Sequence, residues 1–119
     1  MGGHVKTVFD TQLMLFDRPI GCTVTRLDAG IQILLAGGDS SHIGAVSICV
    51  PGEPCRTTVL PGHKEAYISE PWAQAISDAA GLTCCVVCGI HYDNAAPEQI
   101  REILSATDDL LKQVITALN

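Results

Sequence analysis

Residues 84–90, Cys-Cys-Val-Val-Cys-Gly-Ile, form an unbroken apolar run, and no other stretch of this chain limits the fold so sharply. Its length and lack of polar alternation read as a buried strand. The run also contains a C-x-x-C, which invites a zinc reading. On a strand, however, Cys85 and Cys88 point to opposite faces and cannot share one ion without a turn between them. The sequence has no second C-x-x-C to complete a tetrahedral site. The cysteines of the run are therefore read as small buried hydrophobes. Cys22 and Cys49 lie in similar strand-like settings and take the same reading. Cys55, between Pro54 and Arg56 in a loop, is the one expected to be most exposed, also as a plain thiol.

Helical patterns flank this strand. Ser69-Glu70-Pro71 offers a capping hydroxyl, an acid for the dipole and a first-turn proline. Trp72, Ala73, Ile76 and Ala80 then share a face, and Gly81 supplies the stop. After Asp93-Asn94, Pro97-Glu98 opens a last helix running nearly to the C-terminus. Its apolar residues, among them Ile103, Leu110, Leu111 and Val114, recur at three- and four-residue steps.

The first half reads as strands. Val5 to Phe16 is extended, and Asp17 to Gly21 turns into Cys22 to Leu27. Asp28-Ala29-Gly30 is a hairpin signal, with Gly30 suited to a positive φ. Ile31–Leu35, Ala45–Val50 and Arg56–Leu60 follow, joined by hairpin-length connections that favour an antiparallel meander. Strands followed by helix, strand and helix define one α+β domain over residues 1–119. The expectation is two layers: a largely antiparallel sheet with two helices packed on one face.

Charge narrows the partners. With 7 Lys+Arg against 13 Asp+Glu the net charge is −6, which argues against wrapping nucleic acid or lying on an anionic membrane. A 47% hydrophobic and 17% charged composition excludes disorder. No stretch reaches the roughly 18–20 apolar residues of a membrane span, and the N-terminus lacks the features of a secretory signal. A cytoplasmic protein with reduced thiols is expected.

Chemistry is concentrated in loops. Three of the four histidines stand next to or near glycine at predicted strand ends: His42-Ile43-Gly44, Gly62-His63-Lys64-Glu65, and Gly89-Ile90-His91-Tyr92-Asp93-Asn94. A rigid sheet can aim several loops at one point. The stretch Gly37 to Gly44 can offer backbone N–H groups and hydroxyls to a phosphate, although it lacks the P-loop ending. Lys64 adds a cation. His63, His91, Glu65 and Asp93 equally suit a divalent metal, and the short His-x-acid spacing does not choose between these.

The segments Gly-Gly-Asp-Ser-Ser-His-Ile-Gly-Ala-Val (37–46), Pro-Gly-His-Lys-Glu (61–65) and Gly-Ile-His-Tyr-Asp-Asn-Ala (89–95) carry a family resemblance. They look like the LpdD-like prenylated-flavin chaperones, accessory proteins of UbiD-type decarboxylases related to the small subunit of gallate decarboxylase. The resemblance implies a non-enzymatic carrier of prenylated FMN that serves a UbiD-type decarboxylase, with a flavin prenyltransferase as a further partner and a homodimer as the assembly. Carried over by position, it implies a cofactor site of His42, Gly44, His63, Lys64, Glu65, His91, Asp93 and Asn94. A divalent ion bridging the phosphate would reconcile an anionic chain with an anionic ligand. Trp72, Tyr67 and Tyr92 are the available stacking residues. Two readings from other classes compete: a small metal-dependent or self-cleaving enzyme built on the three histidine loops, and a non-catalytic assembly subunit.

Overall fold

The computed structural model describes residues 2–119. Six strands, β1 (Val5–Leu15), β2 (Arg18–Leu27), β3 (Gly30–Gly38), β4 (Ala45–Cys49), β5 (Arg56–Val59) and β6 (Thr83–His91), make one sheet. Helices α1 (Ala66–Ala80) and α2 (Pro97–Leu118) cover one of its faces. The α+β reading holds, and the sheet is antiparallel apart from one pair.

That pair corrects the expected meander. The strand order is β1-β2-β3-β6-β4-β5, so the apolar run of residues 84–90 is inserted between β3 and β4. It runs parallel to β3 and antiparallel to β4. A strand apolar throughout is stable only with neighbours on both edges, and this position supplies them. The chain between β3 and β4 must therefore cross the carboxyl end of β6 instead of closing a hairpin.

Ile20, Cys22 and Val24 of β2, Ile31, Ile33 and Leu35 of β3, and Cys84, Val86 and Cys88 of β6 face the helices. In β4 it is the small set, Ala45, Ser47 and Cys49, that is buried, because α1 packs close there. The other face is uncovered. Leu34, Val87 and Val46 lie side by side across it, and Leu34 is 47% exposed.

Several local expectations shift. The first hairpin turns at Phe16 and Asp17, both with positive φ (52° and 60°), as a two-residue primed turn needs, so β2 begins at Arg18 rather than after Gly21. Gly30 is already paired with Leu27 and does not take a positive φ. Helix α1 begins a turn earlier than Ser69-Glu70-Pro71, with Glu65 at its N-cap and Pro71 inside it. Ser69 is in the core instead, where its hydroxyl meets that of Ser47 (2.8 Å), which in turn meets that of Thr57 (2.8 Å). Gly81 ends α1 as expected, at φ 67° with its N–H donating to the Ser77 carbonyl. At the start of α2 the Ala96 N–H donates to Gln99 Oε1 (2.8 Å), half of a capping box.

The cysteine reading needs one correction. Cys49 and Cys55 are joined in a disulfide, their Cα atoms 4.3 Å apart across the β4–β5 turn. Hairpin geometry brings the two together, and neither neighbouring sequence nor hydropathy marks it. Cys22, Cys84 and Cys88 are free and buried as expected, whereas Cys85, also free, is only half-buried. Burial pushes the thiols of Cys22, Cys84 and Cys88 up to about 12 from 9.0. A raised pKa means that these thiols stay protonated in the folded chain while the unfolded chain ionises. Stability is thus intact below pH 9.0 and falls as pH rises from there towards about 12. Thermal melts at pH 8 and pH 10.5 should show a lower midpoint at the higher pH, and Cys84→Ser should not remove that difference alone. Equal midpoints would refute this account.

Candidate functional site

Three of the four histidines, each beside a carboxylate, collect at the carboxyl ends of β3 and β6. Gly38 is the register partner of His91 there. The 39–44 crossing passes over this end, the β5–α1 connection returns to it, and the β1–β2 turn lies at its side. The crossing is tied to β6 by its backbone: the Asp39 N–H donates to the His91 carbonyl (2.7 Å), His42 to Gly89 (3.4 Å) and Gly44 to Cys88 (2.9 Å). The N–H groups of Asp39, His42 and Gly44 are thus turned towards β6 and taken by its carbonyls.

Fixing the loop in this way aims His42 at Glu65. His42 Nε2 lies 2.8 Å from Glu65 Oε1, and its Nδ1 lies 3.2 Å from the Ser40 carbonyl. His63 stacks on His42 at 4.5 Å between ring centroids, with its Nδ1 3.9 Å from the same carboxylate oxygen. Glu65 is buried, 7% exposed, and the Lys64 N–H donates to its other oxygen (3.0 Å). Gly44 is part of the arrangement because the Glu65 carboxylate occupies the space a Cβ would need. Desolvation, with the Glu65 charge second, raises Tyr67 above its ordinary value and keeps its hydroxyl protonated.

His91 stands one step away, its ring 6.4 Å from that of His42. Its Nε2 meets Asp93 Oδ1 (2.8 Å), and the Asp93 N–H donates to Asp39 Oδ2 (2.8 Å). Asp39 is also held by Arg18 Nε (3.1 Å). Asn94 is exposed at φ 53° and serves the turn into α2. Of the eight anticipated residues, His63, Lys64, Glu65 and His91 line one cavity, His42 and Gly44 stand against Glu65, Asp93 pairs with His91, and Asn94 sits beyond.

A cavity of about 210 Å³ opens here, lined by His63, Lys64, Glu65, Tyr67, Ile90 and His91 with Ile100 and Ile103 of α2. Ile43, Leu60, Tyr67 and Ile100 are exposed around the site. Trp72, a stacking candidate from sequence, is 2% exposed in the core and unavailable. Tyr67 remains at the cavity, and Tyr92 is half-buried with its hydroxyl donating to the Leu15 carbonyl (3.0 Å). Arg18 was not anticipated; only the fold brings the first turn beside the third histidine loop. A larger groove of about 720 Å³ lies at the opposite sheet end, but its His4 and Asp28 are already paired with each other at 2.9 Å.

The crystal structure described as a novel chaperone complex for yeast 20S proteasome assembly has a chain that superposes with a TM-score of 0.65. The match covers 97% of this chain and 98% of that one at 16% identity, a likeness of fold alone.

Sequence decides the family. Residues 16–119 match the prenylated flavin chaperone LpdD-like domain, and the chain belongs to that family. Protein LpdD of Lactiplantibacillus plantarum is 32% identical over 93 residues, 74% of this chain and 68% of that protein. The family role is that of a prenylated-flavin chaperone, a non-catalytic one, which sets aside the enzyme readings. No helix among the described residues is long and apolar enough to cross a membrane.

Proposed function

We propose that the cup formed by His42, Gly44, His63, Lys64, Glu65, His91 and Asp93 holds prenylated FMN for transfer to a UbiD-type decarboxylase. The observation that carries this reading is that His63 and His91 line one cavity, with His42 of the third loop stacked on His63, in a chain of this family. Lys64 and Arg18 supply local positive charge, and the imidazoles supply ring nitrogens, for an anionic phosphate on a chain of net charge −6. A divalent ion between phosphate and the imidazole–carboxylate cluster would add to that charge.

At about 210 Å³ the cavity is below the roughly 300–1,000 Å³ that encloses a drug-sized ligand. It therefore grips one end of the cofactor, and the remainder lies on the apolar rim of Ile43, Leu60 and Tyr67. A second copy of the chain would cover that remainder, and the uncovered row of Leu34, Val87 and Val46 is a surface on which a homodimer can form. The setting is cytoplasmic, with a flavin prenyltransferase as the source of the cofactor.

The test is co-production with a flavin prenyltransferase, followed by absorbance and native mass spectrometry. The expected product is a coloured dimer carrying a flavin-derived mass. His63→Ala and His91→Ala should each weaken retention about tenfold or more, since one charge-assisted hydrogen bond contributes roughly 1.5–3 kcal/mol. Colourless protein without the added mass, in air or under anaerobic conditions, would refute the reading.

A further inference from the structure

We propose that His42, His63 and Glu65 form a binding site for one divalent first-row transition-metal ion, with coordination positions left open towards the cavity. One ligand atom from each residue lies within 4.8 Å of the other two, a span that small side-chain rotations close onto a shared ion. Two imidazoles and one carboxylate are a donor set suited to zinc and its neighbours rather than to calcium or magnesium. Three protein ligands also leave room for an exogenous oxygen.

The hydrogen bonds of His42 point the same way. Both of its ring nitrogens face acceptors, the Ser40 carbonyl at 3.2 Å and Glu65 Oε1 at 2.8 Å. A neutral imidazole has a single N–H to give. When Nδ1 donates to the carbonyl, Nε2 presents a lone pair to a carboxylate, and a cation between them turns that opposition into attraction. An imidazole anchored through its far nitrogen to a backbone carbonyl is the usual outer shell of a metal-bound histidine.

Burial strengthens the argument. Glu65 is 7% exposed, and its side-chain hydrogen bonds come from His42 and from the Lys64 backbone. A carboxylate removed from water calls for a counter-charge. The carboxylate itself is held close against the backbone, in the space a side chain on Gly44 would take. His91 is excluded from the ligand set: its Nε2 is engaged by Asp93 at 2.8 Å, and its ring is the more distant one.

The inference goes beyond cofactor carriage and is tested without flavin. Chelator-treated protein titrated with Co²⁺ alone should develop visible ligand-field bands that saturate at one equivalent per chain and are displaced by Zn²⁺. Glu65→Gln and His63→Ala should weaken Co²⁺ binding more than about a hundredfold, beyond the loss of an outer-shell partner. His91→Ala should leave it unchanged. Circular dichroism identifies a variant that fails to fold, and His63→Ala, which spares the His42–Glu65 contact, decides the matter if Glu65→Gln does so. Absence of bands, or bands indifferent to His63→Ala, overturns the site and means that a second ring proton on His42 resolves the contact. Either result leaves the flavin reading standing, and unaltered protein that binds Co²⁺ but carries no flavin after co-production with a flavin prenyltransferase would count against that reading only.

Discussion

Trp72→Ala is expected to lower stability by about 3–5 kcal/mol, the range for removing a buried tryptophan. That is a large part of the roughly 5–15 kcal/mol that holds an ordinary domain together. Trp72 is the chain's one tryptophan and is 2% exposed on α1. It sits where α1 meets α2, among Ile68, Leu104, Thr107 and Leu111. On the buried side of α1 it lies between Ile68 and Ile76, with the small Ala73 and Ser69 beside it, and neither isoleucine has the volume of an indole. The two helices meet each other over a short seam, and α2 otherwise leans on the edge strand β1. Loss of the indole should therefore loosen α2 as well as α1. Urea titration followed by far-UV circular dichroism measures the change, and Trp72→Phe should recover more than half of it. A loss below about 1 kcal/mol would show that the seam repacks and that the helices are not held through this side chain.

Much of this was legible in the residues. The apolar run of β6, the three- and four-residue steps of α2 and the stop at Gly81 announce themselves because burial and chain reversal act on neighbours in sequence. The three histidine loops were legible as a group because each interrupts an apolar pattern with groups that need a purpose. What stayed hidden depends on partners distant in the chain. Insertion of β6 between β3 and β4 follows from how sheet edges are satisfied, and hairpin-length spacing pointed the other way. The Cys49–Cys55 link follows from the β4–β5 turn bringing two Cα atoms to 4.3 Å. Arg18 joins the site because the crossing loop carries Asp39 to the first turn. Ser69 resembled a cap and became a core hydroxyl, since Ser47 and Thr57 beneath it needed a partner.

The insertion that sequence missed is also what makes the site, and Gly89→Ala tests that link. Because β6 separates β3 from β4, residues 39–44 must cross its end, and they cross directly over Gly89. A Cβ there would fall on the His42 carbonyl, backbone against backbone, with no flexible side chain to give way. Gly89 does not have a positive φ, so alanine fits its own backbone and the whole effect is steric. The crossing must lift, breaking the His42–Gly89 hydrogen bond (3.4 Å) and carrying His42 off Glu65 and His63. Overpacking of this kind costs about 1–3 kcal/mol, which a folded domain survives. The binding cluster does not survive it: retention of prenylated flavin should fall more than about tenfold, the equivalent of 1.4 kcal/mol. Gly21→Ala is the matched control, since its Cβ would meet the Ala36 carbonyl of the adjacent strand at an ordinary 3.7 Å. That variant should keep both fold and ligand. If Gly89→Ala held its flavin as tightly as Gly21→Ala, the position of His42 over β6 would have no part in binding. If it held the flavin less tightly while melting within a few degrees of the unaltered protein, the crossing loop would be established as the element that assembles the cup.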